Sequence, residues 1–182
     1  MEIAGNAIVF GGGSGIGRAT AIAFAQAGAA GVMIADINFK MAEVAVNAVK
    51  AAATRSNFRV EAIAVDVTLE ESVGAVMKEM VDSFQRIDYC VTCAGVSVKT
   101  AQPTADASVS EFIHLQNVNV TGTFLVVRAA LAIMKGQDAR LNFPDVPSRG
   151  ITSGAVVAMG TRIDQECRVK DGIRVNFLDQ AL

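Results

Sequence analysis

The chain has 182 residues, of which 52% are hydrophobic and 19% are charged, and its formal net charge at pH 7 is −2. This composition predicts one folded domain with a full core, and it excludes a disordered chain and a protein that binds nucleic-acid phosphates through a basic face. The N-terminus lacks the basic-then-apolar order of a signal peptide, and no apolar run approaches the roughly 20 residues of a membrane span, so we expect a cytosolic protein without a membrane partner.

Six short apolar runs with little polar alternation predict strands that are covered on both faces, as in a parallel sheet. They lie at residues 7–10, 32–35, 60–65, 89–92, 155–159 and 173–178. Helical periodicity predicts helices at residues 14–27, 41–53, 73–84 and 118–134. This alternation predicts a single doubly wound α/β domain of the Rossmann type, without an internal repeat.

A glycine-rich sequence, GGGSGIG, separates the first predicted strand from the first predicted helix. Gly11, Gly15 and Gly17 have the spacing at which missing side chains let the backbone approach a pyrophosphate, whose charge the helix N-terminus attracts. Asp36 ends the second strand 19 positions after Gly17, where a carboxylate accepts hydrogen bonds from an adenosine ribose and repels a 2′-phosphate. The pattern favours NAD over NADP. Taken alone, the glycines would equally fit a tight turn, and Asp36 would fit a helix N-cap or a solvated turn.

Further motifs follow in register, and with them the chain resembles the short-chain dehydrogenases/reductases from its N-terminus to about Asn176. GGGSGIG resembles the cofactor loop of that family, DVT at 66–68 its adenine-contacting motif, and TCAG at 92–95 the element after its fourth strand. The segments that resemble its long fourth helix, its fifth strand and its sixth strand are residues 117–131, 149–161 and 170–176.

The resemblance implies a sheet with strand order 3-2-1-4-5-6, a dinucleotide-binding half at 1–95 and a shortened catalytic and dimerisation half at 96–182. It also implies NAD as the cofactor and a small-molecule substrate. Asn119 matches the catalytic asparagine, and Thr161 stands at the end of the fifth strand in place of the catalytic serine. The residues that match cofactor contacts are Gly11, Ser14, Gly15, Ile16, Gly17, Asp36, Asp66, Val67, Cys93, Ala94 and Gly95.

The sequence departs from the family pattern in its catalytic residues. The family's Tyr-x-x-x-Lys, in which the tyrosine exchanges a proton with the substrate oxygen and the lysine lowers the tyrosine pKa, is absent, and the single tyrosine is Tyr89 on the fourth predicted strand. Phe10 and Thr92 stand where the family usually has Thr and Asn, which predicts weakened cofactor binding. The chain ends at Leu182, before the family's seventh strand, so we expect a truncated member in which that strand is missing.

Few other groups remain for proton transfer. Lys99 follows the fourth strand, and His114 lies on the fourth helix, where an exposed or dimer-facing position is the alternative to a catalytic one. Cys90, Cys93 and Cys167 are an odd number, which favours buried thiols over a disulfide or a metal site.

The second half of the chain carries three predictions about its surface. The strand at 173–178 would present an apolar edge, which invites pairing with another chain. The helix at 118–134 is apolar on nearly every side, and in the resembled family it packs against its copy, so we expect a homodimer by one of these routes. The polar segment 136–153 predicts either a mobile surface connection or a lid over the shortened cleft.

Three functional hypotheses follow. The first is an enzyme on this scaffold that no longer transfers hydride and that isomerises, cyclises or dehydrates a small molecule. The second is an NAD-dependent alcohol dehydrogenase or ketone reductase with a non-standard proton donor. The third is a catalytically inactive NAD-binding or partner subunit.

Overall fold

The computed structural model of the chain describes residues 3–98, 104–141, 150–159 and 173–178. In this part of the chain the strands are β1 Asn6–Phe10, β2 Gly31–Asp36, β3 Arg59–Ala64, β4 Tyr89–Thr92, β5 Arg140–Leu141, β6 Ile151–Thr152, β7 Gly154–Met159 and β8 Ile173–Leu178. The α-helices are α1 Gly15–Gln26, α2 Phe39–Ala52, α3 Glu70–Phe84, α4 Val109–Gln116 and α5 Thr123–Met134. A short 3-10 helix spans Thr104–Asp106, and a π-helical turn spans Asn117–Gly122.

Six of these strands form one parallel sheet in the order β3-β2-β1-β4-β7-β8. At its centre, Ile8 of β1 lies beside Met33 of β2 and Cys90 of β4. The doubly wound fold and the strand order 3-2-1-4-5-6 are confirmed, with β7 and β8 as the fifth and sixth predicted strands. The expectation of a missing seventh strand concerns the chain beyond Leu178, which lies outside the described residues.

Side chains of the central strands alternate between two helical layers. Ala7 and Val9 of β1 face the cluster that contains α1 and α2, whereas Ile8 and Phe10 face the cluster that contains α3 and α5. All four side chains are fully buried. Because both faces of the sheet are covered, its central strands are mainly apolar and show no polar alternation.

The helix after the fourth strand begins earlier than predicted, because α4, the π-helical turn and α5 run continuously from Val109 to Met134. In the π-helical turn, Gly122 approaches the loop after β3 so closely that a Cβ on it would lie 2.8 Å from Val67 Cγ2. With 26 residues, this helix is long and apolar enough to cross a membrane by length and composition alone, a test that the core helix of a globular domain also passes. Its α5 part packs against the sheet in the manner of a core helix.

The segment between α5 and β7 forms a hairpin that the sequence did not predict, in which β5 pairs antiparallel with β6. Arg140 on β5 donates hydrogen bonds to both carboxylate oxygens of Asp88, at 3.2 Å from Nε and 2.8 Å from Nη2. Asp88 directly precedes β4, so the hairpin lies at the amino-terminal edge of the sheet, opposite the glycine loop. The prediction that segment 136–153 forms a lid over the cleft is therefore wrong for its described residues. Residues 142–149 lie outside the described part.

Candidate functional site

The glycine loop turns away from the carboxyl end of β1 and packs on the loop that follows β4. Gly11 has a φ of +72°, in the left-handed region that glycine adopts without strain. A Cβ on Gly11 would lie 2.6 Å from the backbone nitrogen of Ala94. In addition, the Cys93 N–H donates to the Phe10 carbonyl oxygen at 2.8 Å. The predicted cofactor residues of the two loops are therefore in direct contact.

Helix α1 begins with a second close approach of backbone to backbone. A Cβ on Gly17 would lie 2.0 Å from the carbonyl oxygen of Gly11, which no side chain tolerates. Gly17 is buried, and the absence of its side chain lets α1 start directly beside the loop. Glycine is thus required at both positions by packing within the chain itself.

The N-terminus of α1 opens onto free space. Ser14, Gly15 and Ile16 are exposed, and a Cβ built on Gly15 would meet no atom within 4 Å. Ser14 is the N-cap residue, its side chain makes no capping hydrogen bond, and the first turn contains no acidic residue. The first N–H groups of a helix have no partner within it, and the helix dipole is positive at this end. The residues present therefore fit the pyrophosphate of a dinucleotide.

Two backbone N–H groups hold the carboxylate of Asp36 beside the glycine loop. Gly13 donates to Oδ2 and Asn38 donates to Oδ1, each at 2.9 Å. Asn38 is the N-cap of α2, since its side chain accepts from the Met41 N–H at 3.3 Å, so Asp36 does not have the capping role that was its alternative. A carboxylate oxygen accepts more than one hydrogen bond, which leaves Asp36 able to accept hydroxyl donors.

Asp66 and Val67 form the loop after β3. Asp66 Oδ1 accepts from the backbone N–H and the hydroxyl of Thr68, at 2.9 and 2.7 Å, so the aspartate is fixed by its own turn. The Val67 side chain is only 7% exposed and packs in the core against Gly122. Any contact between Val67 and a cofactor is therefore left to its backbone.

The two described cysteines are a buried and a half-buried free thiol. Burial raises the pKa of the Cys90 thiol to about 12. Burial also raises the pKa of the Cys93 thiol, although a hydrogen bond with the Thr20 side chain opposes this effect. Both thiols therefore stay protonated at neutral pH and are poor nucleophiles. Within the described residues, no three His, Cys, Asp or Glu side chains are grouped to hold a metal ion; Cys167 lies outside them.

Phe10 and Thr92 stand where the resembled family usually has Thr and Asn, and these two residues lie next to each other in the sheet. Phe10 is fully buried and pairs in register with Thr92 of β4. The Thr92 hydroxyl is buried without a hydrogen-bond partner among the described residues. The glycine loop forms nevertheless, because the N–H groups of Gly11 and Gly12 both donate to the Ala35 carbonyl oxygen, at 2.8 and 3.2 Å. The phenyl ring of Phe10 thus does not prevent the loop from forming.

Asn119 lies in the π-helical turn and joins it to the loop after β4. Its Oδ1 accepts from the Val96 N–H and its Nδ2 donates to the Val96 carbonyl oxygen, each at 2.8 Å. Gly95 adjoins the same amide, since a Cβ on it would lie 3.3 Å from Asn119 Oδ1. The structure therefore brings Asn119 to the predicted cofactor residues, where its amide positions the backbone.

Among the remaining candidates for proton transfer, the structure describes His114. His114 is exposed on α4, as in the alternative to a catalytic role. Tyr89 is buried at the amino end of β4, where its hydroxyl donates to the Ala4 carbonyl oxygen at 3.1 Å. Thr161 and Lys99 lie outside the described residues.

The connection between β7 and β8 contains thirteen residues, 160–172, and none of them is a tyrosine. The two strands pair in parallel from Gly154 beside Ile173 to Met159 beside Leu178. The sequence therefore has no Tyr-x-x-x-Lys in the connection where the resemblance would put it.

The structure thus brings predicted residues from four strand ends to the carboxyl edge of the sheet. It also adds partners that the sequence did not predict, which are Gly13, Thr20 and Val96. Thr20 and Val96 carry no signal in the sequence. Gly13 carries one: it is the third of three consecutive glycines, and the G-x3-G-x-G spacing does not require a glycine at that position.

Comparison with known proteins agrees with this arrangement. The family model described as short chain dehydrogenase matches residues 5–140. The short-chain dehydrogenase srdC of Neurospora crassa is 45% identical over 161 residues, which make up 88% of this chain and 59% of that protein. The chain thus spans about three-fifths of the length of this relative.

Two solved structures share the fold. A short-chain type dehydrogenase/reductase from Mycobacterium ulcerans has a TM-score of 0.74 at 25% identity, over 88% of this chain and 53% of that one. An NAD+-bound xylitol dehydrogenase has a TM-score of 0.70 at 26% identity, over 86% of this chain and 52% of that one. Because the family model matches most of the sequence and the strand order agrees, the chain belongs to the short-chain dehydrogenase family.

Proposed function

We propose that the chain binds NAD(H) at the carboxyl edge of its sheet and acts on a small-molecule substrate. The observation that carries the proposal is the open glycine loop before α1, with the Asp36 carboxylate held beside it by the Gly13 N–H. The similarity to an NAD+-bound xylitol dehydrogenase supports the same cofactor.

Each part of the edge has a separate role in this proposal. The N-terminus of α1, at Ser14 and Gly15, receives the pyrophosphate. Asp36 accepts hydrogen bonds from the adenosine ribose and repels a 2′-phosphate. Asn119 keeps the loop after β4 in place through Val96, on the side where the nicotinamide would lie. In the second candidate reaction described below, hydride transfer, the bound cofactor would supply the hydride acceptor or donor.

Calorimetric titration with NAD, NADH and NADP tests the cofactor. We expect NAD to bind at least about tenfold more tightly than NADP, because the Asp36 carboxylate repels the negatively charged 2′-phosphate of NADP. Asp36→Asn should narrow this difference, since it removes the charge and keeps the shape. Asp82→Asn, the same change on the exposed face of α3, is the control and should leave both affinities unchanged. Equal affinities in the unmodified protein would remove Asp36 from the ribose site, and no binding of any of the three would overturn the proposal.

For the chemistry, we propose a reaction that does not need the Tyr–Lys couple, such as an isomerisation, a cyclisation or a dehydration. The sequence contains no Tyr-x-x-x-Lys, and the Asn119 amide has no pKa near neutrality with which to replace it. The groups that remain position and polarise a substrate, which accelerates reactions of this kind without a net redox change.

Hydride transfer with a non-standard proton donor is the second candidate, and the family match favours it because the matched relatives are named dehydrogenases. Incubation with NADH and a panel of ketones distinguishes the candidates. Consumption of NADH supports hydride transfer, whereas product formation without a change in NADH supports the first candidate. Bound NADH without any turnover supports a non-catalytic NAD-binding or partner subunit.

We further propose that the chain forms a homodimer through the long helix. Val109, Phe112 and Ile113 of α4 and Phe124 of α5 are between 45% and 72% exposed. Exposed large apolar side chains grouped on one element are typical of an interface. Sedimentation velocity should give a dimer for the unmodified protein and a monomer for Phe112→Asp. A dimer in both cases would favour the alternative, pairing at the β8 edge, and a monomeric unmodified protein would contradict the proposal.

A further inference from the structure

We infer that Gly13 is a positioning residue for cofactor selectivity, because its backbone holds the Asp36 carboxylate in the orientation that distinguishes NAD from NADP. The inference rests on the proposed NAD(H) function. Gly13 is not one of the three glycines whose spacing predicts the phosphate loop, and that spacing gives it no role.

The carboxylate is fixed at both oxygens. The Gly13 N–H donates to Oδ2 and the Asn38 N–H donates to Oδ1, each at 2.9 Å. Two backbone donors on two different oxygens restrict rotation of the carboxylate about its bond to Cβ. A hydrogen bond between a neutral N–H and a carboxylate is charge-assisted, so each contact is stronger than one between neutral groups. The orientation of Asp36 is therefore set before a cofactor arrives.

No larger residue fits at position 13 without moving this carboxylate. A Cβ on Gly13 would lie 2.9 Å from Asp36 Oδ2, 3.0 Å from Asp36 Cγ and 3.1 Å from the Ala42 backbone nitrogen. The Ala42 nitrogen belongs to α2 and cannot move without the helix, so the side chain of Asp36 must yield. Gly13 is not among the glycines with positive φ, so alanine adds no backbone strain there. The effect of Gly13→Ala is thus confined to the contact with Asp36 and α2.

Calorimetry of Gly13→Ala with NAD and NADP tests the inference. We expect the affinity for NAD to fall about tenfold, which corresponds to the loss of one charge-assisted hydrogen bond between Asp36 and the adenosine ribose. The affinity for NADP should stay nearly constant. In an Asp36→Asn background, Gly13→Ala should leave the NAD-to-NADP ratio almost unchanged, because Gly13 acts through the carboxylate. Gly74→Ala is the matched control: Gly74 is exposed in α3, a Cβ on it would meet no atom within 4 Å, and both affinities should be unchanged.

Equal losses of NAD and NADP affinity in Gly13→Ala would overturn the inference and leave the proposed function standing. Full additivity with Asp36→Asn would overturn it as well. If Gly13→Ala does not fold, Asp36→Glu replaces it, since the longer side chain keeps the charge but moves the carboxylate away from the Gly13 N–H. An unchanged NAD-to-NADP ratio in Asp36→Glu would also overturn the inference. Absence of any dinucleotide binding in the unmodified protein would instead overturn the proposed function, and the inference with it.

Discussion

Replacement of Gly17 by alanine should destabilise the domain by about 3 kcal/mol and abolish dinucleotide binding. The added Cβ would lie 2.0 Å from the Gly11 carbonyl oxygen and 3.1 Å from Gly12 Cα, so the start of α1 must move away from the loop. The proposed pyrophosphate site is that same N-terminus, and it moves with the helix. Urea unfolding gives the change in stability, and calorimetry with NAD gives the change in binding.

Gly74→Ala is the control for this prediction, because it places the same methyl group in another helix. Nothing lies within 4 Å of a Cβ on Gly74. We expect it to stabilise the domain by about 0.5–1 kcal/mol, because alanine loses less conformational freedom than glycine in a helix. The two substitutions should therefore have opposite signs. A loss of similar size in both would contradict the close approach at Gly17.

The largest loss of stability is expected for Asp88→Ala, at about 3–5 kcal/mol. Asp88 is fully buried, and its carboxylate accepts from the Asn6 N–H at 2.8 Å, from Arg86 Nε at 2.7 Å and from Arg140 Nη2 at 2.8 Å. Alanine would leave the Arg86 guanidinium, whose side chain is 14% exposed, without its counter-charge. The same change would remove the contact of Arg140 on β5 with the residue that precedes β4.

Arg140→Ala separates the buried part of this network from its exposed part. The Arg140 side chain is 46% exposed, and its removal leaves the pair of Arg86 with Asp88 intact. We therefore expect a loss of less than about 1 kcal/mol in urea unfolding. NAD affinity should be the same in Arg140→Ala as in the unmodified protein, because Arg140 lies at the opposite edge of the sheet. Equal losses of stability for Arg140→Ala and Asp88→Ala would contradict this description of the network.

The sheet could be predicted from the sequence because strands that are buried on both faces are apolar runs, and each run is visible without knowledge of its neighbours. The glycine loop could be predicted for the same reason: Gly11 and Gly17 are six positions apart in one continuous segment. What the loop requires of its residues, a positive φ at one glycine and a close backbone approach at the other, is a local property.

The remaining features depend on contacts that are distant in the sequence. Arg140 and Asp88 are 52 positions apart, and Gly13 and Asp36 are 23 apart, so neither pair leaves a periodic signal. The sequence predicts the start of the long helix at Val118, whereas the helix begins at Val109. The earlier part was missed because the π-helical turn interrupts the helical period and α4 contains no buried residue. Periodicity detects only a helix with a buried face.

Hydrogen–deuterium exchange with and without NAD tests most directly the central claim that the nucleotide binds at the carboxyl edge of the sheet. We predict that NAD slows exchange at residues 11–17, 36–38 and 93–96 and leaves exchange at residues 137–141 unchanged. No change at any of these segments, or slower exchange only around Asp88 and Arg140, would contradict the account.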